Sequence, residues 1–295
     1  METLTNRTAG KKPRIRLHYG KDYRFVQNVV TQNNLHTVCE EARCPNIYEC
    51  WNRGTATIMI LGDICTRACG FCSVGTGKPV GVDRMEPVRT AMAIQKMNLR
   101  HVVITSVDRD DIKGDFGAEI WAETIRQVHH HVPKCTVEVL TPDFQGYLPA
   151  LKTVFEAEPE IFSHNVECVE RISRQVRAQA VWNRSLDVLK QSVSYGLRTK
   201  SGMMVGLGEV KDEVIETMKE VVDLGVEIFT IGQYLQPSPI HKKLDRFYLP
   251  KEFQELADIG MAMGFRHVAS GPLVRSSYHA DEQAAAVNIG NFSSK

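Results

Sequence analysis

No run of apolar residues in this 295-residue chain approaches the roughly eighteen that a membrane-spanning helix needs. The opening METLTNRTAGKKPRIRL has no apolar core of the kind that directs secretion, and only a few basic residues. An excess of one charge is missing too. Thirty-six Lys and Arg face 35 Asp and Glu, a net charge of +1, so the broad basic field that grips a nucleic-acid backbone is absent. There is no internal repeat and no low-complexity segment. Together these absences predict a cytoplasmic chain with no membrane and no nucleic acid among its partners, and with Lys11 to Arg16 as an exposed tail. Hydrophobic residues at 43% and charged residues at 24% leave material for a sizeable core, either one large α/β barrel or two ordinary domains.

After residue 55 the pattern alternates. Apolar, β-rich runs at 56–61, 101–106, 135–140, 161–166, 199–207 and 227–234 predict strands. Helical patterns at 87–97, 117–131, 147–156, 183–195, 211–224 and 250–263 lie between and after them. Pro250 suits a first helical turn, and Gly225 and Gly264 suit C-terminal caps. Six β–α units imply a parallel sheet with right-handed crossovers. A barrel and an open doubly wound sheet both satisfy that pattern, and either places active groups at the C-terminal ends of the strands. Residues 1–54 read as an extension with a helix near 22–34 and a cysteine-bearing loop. Residues 271–295 read as a C-terminal appendage.

Eight cysteines in a chain without a secretory leader argue against a disulfide framework. Six fall between Cys39 and Cys72, and clustered thiols in a reducing compartment point to metal. Cys135 and Cys168 sit in apolar contexts and read as small buried hydrophobes.

The run ATIMIL leads into GDICTRACGFCSVGTG, which places Cys65, Cys69 and Cys72 in a C-x3-C-x2-C loop at the end of a strand. Three thiolates this close can ligate one compact iron–sulfur centre, and a cubane normally takes four. Three ligands leave one iron open for a substrate or cofactor. Zinc would want a fourth ligand near by and paired CxxC knuckles, and only Cys69 and Cys72 form such a pair. A second triplet, Cys39, Cys44 and Cys50 in VCEEARCPNIYECW, has C-x4-C-x5-C spacing. Spacing alone leaves a structural zinc site, an electron-relay cluster and a functional cluster open.

The first loop, with aromatic Phe71 before its last cysteine, resembles the radical S-adenosylmethionine superfamily. Over roughly residues 14–285 the chain resembles the lipoyl synthase family: NNLHTVCEEARCPNIYECW, TATIMILGDICTRACGFCSV, HVVITSVDRDD, IGQYLQPS and GPLVRSSYHADEQ stand in that family's order. The resemblance implies a partial (β/α)6 parallel barrel over 55–270, with the cysteine-bearing extension before it and the RSSY segment after it. It implies two [4Fe–4S] clusters and S-adenosylmethionine. Cys65, Cys69 and Cys72 would hold the cluster that cleaves the sulfonium. Cys39, Cys44 and Cys50 would hold an auxiliary cluster that donates sulfur, with Ser276 or Ser277 as its fourth ligand; without the resemblance these serines read as a cap or a turn. The implied reaction is radical sulfur insertion at C6 and C8 of a protein-bound octanoyl-lysine. The implied partners are an octanoylated lipoyl carrier domain (the E2 subunit of a dehydrogenase complex or the H protein of glycine cleavage) and a ferredoxin or flavodoxin reductant.

By position and by resemblance, Thr105, Ser106 and Asp108 are candidates to meet the methionine ammonium, though a solvated acidic turn has the same composition. Asn165 and Glu167 in HNVE are candidates for the ribose hydroxyls, and a strand-end Asn satisfied by backbone reads the same way. Gly206 resembles the glycine of the strand the superfamily runs along the adenine; as a dinucleotide fingerprint Gly206-Leu207-Gly208 is poor. Lys200, Arg177 and Arg184 are candidates for a carboxylate. His129, His130 and His131 are consecutive and cannot share a helix face. Another radical enzyme would share the first triplet and lack the second and RSSY; a zinc or electron-transfer protein would not cleave S-adenosylmethionine.

Overall fold

The computed structural model describes residues 10–13, 20–42, 44–52 and 56–289. The basic stretch from residue 14 to 16 and the expected boundary at 54/55 lie outside the described residues.

The extension supplies α1 (Lys21–Gln32), a two-residue strand β1 (His36–Thr37), and the short helices α2 (Val38–Glu41) and α3 (Ile47–Asn52). The barrel opens with β2 (Thr57–Ile60), and the loop after it is pinched by β3 (Ile64–Cys65) and β4 (Gly75–Thr76). Then come α4 (Glu86–Met97), β5 (His101–Ser106), α5 (Ala118–His131), β6 (Thr136–Leu140), α6 (Leu148–Phe155) and β7 (Ile161–Ser163). The second half holds α7 (Glu170–Val176), α8 (Trp182–Tyr195), β8 (Thr199–Val205), α9 (Lys211–Asp223), β9 (Ile228–Gln233), α10 (Pro250–Met263), β10 (His267–Gly271) and α11 (Ala280–Ala286). No described helix is long and apolar enough to cross a membrane.

The sheet order is β1-β2-β5-β6-β7-β8-β9-β10, with β1 antiparallel to β2 and every later pairing parallel. The parallel strands follow one another in chain order without reversal. A doubly wound sheet reverses direction at a switch point, so this order is that of a barrel. It remains open between β1 and β10, which makes the barrel partial. All six expected parallel strands form, and β10 adds a seventh.

The local chemistry is ordinary. β-branched residues fill strands buried on both faces, as in β2 and β5. Pro250 starts α10, and Gly264 closes it in the left-handed region with φ 115°. The core has a large N-terminal part around Trp51, Trp121 and Phe155 and a C-terminal part around Phe229, Phe253 and Tyr234. A third, small cluster joins Ala284 and Val287 of the C-terminal segment to Ile161 and Ile228, the first residues of β7 and β9. The appendage is therefore a plug: α11 seats against the N-terminal end of the barrel.

Candidate functional site

The first thiol triplet hangs from the C-terminal end of β2. Pairing of Ile64 with Gly75 and of Cys65 with Thr76 closes the loop into a lobe, and Gly77 N–H bonds back to the Cys65 carbonyl at 3.0 Å. Gly70 N–H donates to Val176 O at 2.7 Å, Lys242 N–H donates to Gly70 O at 2.7 Å, and a His241 ring nitrogen meets Cys72 O at 2.9 Å. Backbone amides of Arg67 and Asp108 point at Cys65 Sγ, at 3.4 and 3.3 Å. These are donors of the kind that surround cluster sulfurs.

Arg67, inside the C-x3-C spacing, anchors this loop. It is buried, its Nε and Nη2 form a fork on Asp110 at 2.7 and 2.8 Å, and Nη2 also reaches Asp143 at 2.7 Å. Its Nη1 stands 3.3 Å from Asp108. Burial raises the Asp143 carboxyl's pKa, but Arg67 outweighs it and holds the group down at about 2.

A cavity of about 240 Å³ opens beneath the lobe. Cys65, Cys69, Cys72, Phe71, Thr105, Ser106, Asp108, Asn165 and Glu167 all line it. Thr105 and Ser106 spend their hydroxyl protons on the carbonyls of Leu140 and Val107, at 2.9 and 2.8 Å, leaving oxygen lone pairs free to accept. Glu167 sits in the left-handed region with φ 68°, held by a bridge to Met203. Burial pushes both the Asp108 and Glu167 carboxyls up, opposed by Arg67 and Arg177 respectively. A cationic guest would relieve both. Arg177, expected only as one of three carboxylate candidates, lines the cavity and donates to Val166 O at 3.1 Å. Two half-buried carboxyls and one buried guanidinium suit a ligand that carries an ammonium, a sulfonium and a carboxylate.

Gly206 stands apart from this lining. A Cβ there would come within 2.3 Å of Gln233 Nε2 and 2.6 Å of Arg246 O, and the φ of 101° needs glycine. Arg184 is engaged by Asp143 at 3.2 Å. Lys200 is fully buried and faces the other end of the barrel.

The second triplet is built by the extension. Thr37 caps α2, its hydroxyl accepting from Glu40 N–H at 3.3 Å. Cys44 N–H turns back to Cys39 O at 3.0 Å. On α3, Trp51 is buried against Tyr23 of α1, with ring centroids 4.9 Å apart. Cys39, Cys44 and Cys50 line a second cavity together with Thr57, His101, Arg275 and Ser277. Thr57 Oγ1 donates to Ser277 Oγ at 2.8 Å, whereas Ser276 offers its carbonyl to Lys200. This cavity uses Thr57 and His101, the first residues of β2 and β5. The expectation that active groups sit at the C-terminal strand ends holds for the first triplet and not for the second, because the plug segment carries Ser277 to the opposite end.

Burial pushes five of the six thiols upward: Cys44 and Cys65 in direction, Cys39 and Cys69 to about 12, and Cys72 to about 11. A nucleophilic cysteine needs the reverse. Thiols held this way become thiolates when a metal body displaces their protons. Among the described residues, no three His, Cys, Asp or Glu side chains converge on a point that would hold one ion.

Residues 59–221 match the family model of the radical SAM superfamily. The fold agrees. Methylornithine synthase superposes with a TM-score of 0.52 at 11% identity, covering 92% of this chain and 94% of that one. HydG, a maturase of the [FeFe]-hydrogenase, gives 0.58 at 13% identity, covering 79% and 56%. This is a radical SAM protein, a class that carries a [4Fe–4S] cluster and S-adenosylmethionine. Within the class, the chain is 54% identical to the lipoyl synthase of Rubrobacter xylanophilus, covering 92% of this chain and 85% of that one. It is 51% identical to that of Halalkalibacterium halodurans, covering 94% and 92%, and 50% identical to the mitochondrial lipoyl synthase of Nematostella vectensis, covering 91% and 92%. The chain belongs to the lipoyl synthase family.

Proposed function

We propose that the chain inserts two sulfur atoms, at C6 and C8, into an octanoyl group held in amide linkage on a lysine of a lipoyl carrier domain. The observation that carries this reading is a shared wall. Val38 and Ala42 line the cavity of the first triplet, while Cys39 and Cys44, on the same short stretch, line that of the second. A chain lying in the upper cavity is thus one short helix away from a second sulfur-bearing site.

When bound, S-adenosylmethionine and a reduced [4Fe–4S] cluster supply a 5′-deoxyadenosyl radical, and an auxiliary [4Fe–4S] cluster supplies sulfide. For that chemistry Cys65, Cys69 and Cys72 hold the first cluster, and Cys39, Cys44 and Cys50 hold the second. Ser277 is the fourth ligand of the latter, because its Oγ faces the thiol cavity and Ser276 contributes only a carbonyl contact to Lys200. A hydroxyl is a harder, weaker partner for iron than thiolate, which suits a cluster that must open. Thr105, Ser106 and Asp108 orient the methionine ammonium, Arg177 its carboxylate, and Asn165 and Glu167 the ribose. Phe71 packs the loop against the core. The apolar wall of Val38, Met59, Val74 and Leu140 accepts an acyl chain and excludes water from it.

The segment up to residue 54 then carries the auxiliary thiols, residues 55–270 the radical chemistry, and residues from 271 the serine. The carrier is the E2 subunit of a dehydrogenase complex or the H protein of glycine cleavage. Electrons come singly from a ferredoxin or flavodoxin.

Anaerobic iron counting and product analysis on a Cys39→Ala, Cys44→Ala, Cys50→Ala variant test this. The variant is expected to fall from about eight irons to about four, to keep forming 5′-deoxyadenosine, and to yield no sulfur-bearing product from an octanoyl-lysyl peptide. Product from that variant would overturn the sulfur-donor assignment.

A further inference from the structure

One fully buried ion pair has no part in the functional reading so far. Lys200, on β8, and Glu138, on β6, are both fully buried, and Nζ meets Oε1 at 2.7 Å. The strand between them, β7, contributes no charge there, so the two side chains meet inside the barrel. Lys200 Nζ also donates to the Ser276 carbonyl at 2.7 Å, across 76 residues of sequence. The other carboxylate oxygen of Glu138 faces His101 Nε2 at 3.7 Å, and His101 lines the second thiol cavity.

The Ser276 carbonyl belongs to the peptide unit that leads into Ser277. Holding that oxygen restrains the peptide plane, which includes the Ser277 N and Cα, and so narrows where the Ser277 side chain can leave the backbone. Two further ties act on the same segment: Asn46 Nδ2 donates to Leu273 O at 2.7 Å, and Thr57 donates to Ser277 Oγ. Of these, only Lys200 grips the peptide next to the serine from the barrel side. An apolar barrel floor would be a less demanding way to seat a plug, since a buried pair is costly unless every charge finds partners.

We propose that Lys200 is a positioning residue: held by Glu138, it clamps the Ser276 carbonyl and thereby aims Ser277 Oγ into the ring of Cys39, Cys44 and Cys50. This rests on the reading of Ser277 as the fourth ligand. Lys200 itself touches neither substrate nor cofactor.

The test uses a Cys65→Ala, Cys69→Ala, Cys72→Ala background, so that the reduced-state EPR spectrum reports the second site alone. Into it go Lys200→Met and, because that change alone leaves Glu138 buried and unpaired, the double variant Lys200→Met, Glu138→Leu, which removes both charges and keeps the volume. Ser277→Ala provides the reference for a lost oxygen ligand. The expected result is a double variant that keeps its thermal midpoint and its iron but shows the Ser277→Ala spectrum. Addition of cyanide should shift that spectrum in both variants and not in the parent. A parent-like spectrum in the double variant overturns the proposal, since Ser277 then finds its place without Lys200. A Ser277→Ala spectrum identical to the parent's overturns the ligand reading instead, and the proposal falls with it.

Discussion

Thr57 and Ser277, 220 residues apart in sequence, share a hydrogen bond of 2.8 Å that fastens the C-terminal hydroxyl to the first barrel strand beside three thiols. A segment that looks like a tail in one dimension is part of the site in three. Thr57→Val keeps the shape and removes the donor. A net hydrogen bond is worth about 1 kcal/mol, so iron in the second site is expected to leave roughly fivefold faster under chelator challenge. Formation of 5′-deoxyadenosine at the first site should not change.

Arg67 is held by three carboxylates in a buried setting. Removing one member of such a network costs about 3–5 kcal/mol, because the remaining charges stay desolvated. Arg67→Met is expected to lower stability by that order and to strip iron from the first triplet in preference to the second. Arg67→Lys keeps the charge and loses the fork on Asp110, so it should fall between. Denaturant unfolding and site-resolved iron analysis check both.

His164 sets a pH dependence. Burial pulls its ring down to about 4, with Arg177 adding to the effect. Its ring nitrogens meet Thr141 O at 2.9 Å and Ser185 Oγ at 3.0 Å. A neutral ring satisfies both by donating to the carbonyl and accepting from the hydroxyl. The unfolded chain takes up a proton near pH 6.5 and the folded chain only near 4. Stability therefore falls as pH drops from about 6.5 toward 4, by about 3 kcal/mol at the full shift. Denaturant midpoints of the wild type should decline through that window, and those of His164→Gln should be flatter.

Gly206 gives a prediction that separates two roles. Its backbone φ and the backbone oxygen of Arg246 both oppose a side chain. Gly206→Ala is expected to lower the thermal midpoint, with a cost of about 1–3 kcal/mol. If the residue instead serves chiefly as a platform for the adenine, KM for S-adenosylmethionine would rise with the midpoint unchanged.

Much of this site was legible in one dimension, and the reason is chemical. The spacing of Cys65, Cys69 and Cys72 after an apolar strand encodes its own geometry, since the loop is too short to do much else. Strand order was not legible: a run of β–α units is compatible with a barrel and with an open sheet, and only pairing in chain order decides. The seventh strand, HVASG, escaped because His, Ser and Gly dilute its strand pattern. Arg67 carried no periodic or spacing signal, although a lone cation among cluster cysteines with Asp108 and Asp110 downstream was a hint. Lys200 reads in sequence as a candidate for a carboxylate, but that the carboxylate is Glu138 does not, because a meeting across an intervening strand leaves no trace in local sequence.

The plug formed by α11 has a bearing on how the molecule is made. Ser277 and the helix behind it are synthesised after every barrel strand, so a nascent chain can finish its upper thiol loop long before its lower one is enclosed. The wall that the C-terminal segment gives the lower thiol cavity depends on α11 seating against Ile161 and Ile228. Closure of the lower thiol cavity is thereby tied to the docking of α11 rather than to the barrel strands alone.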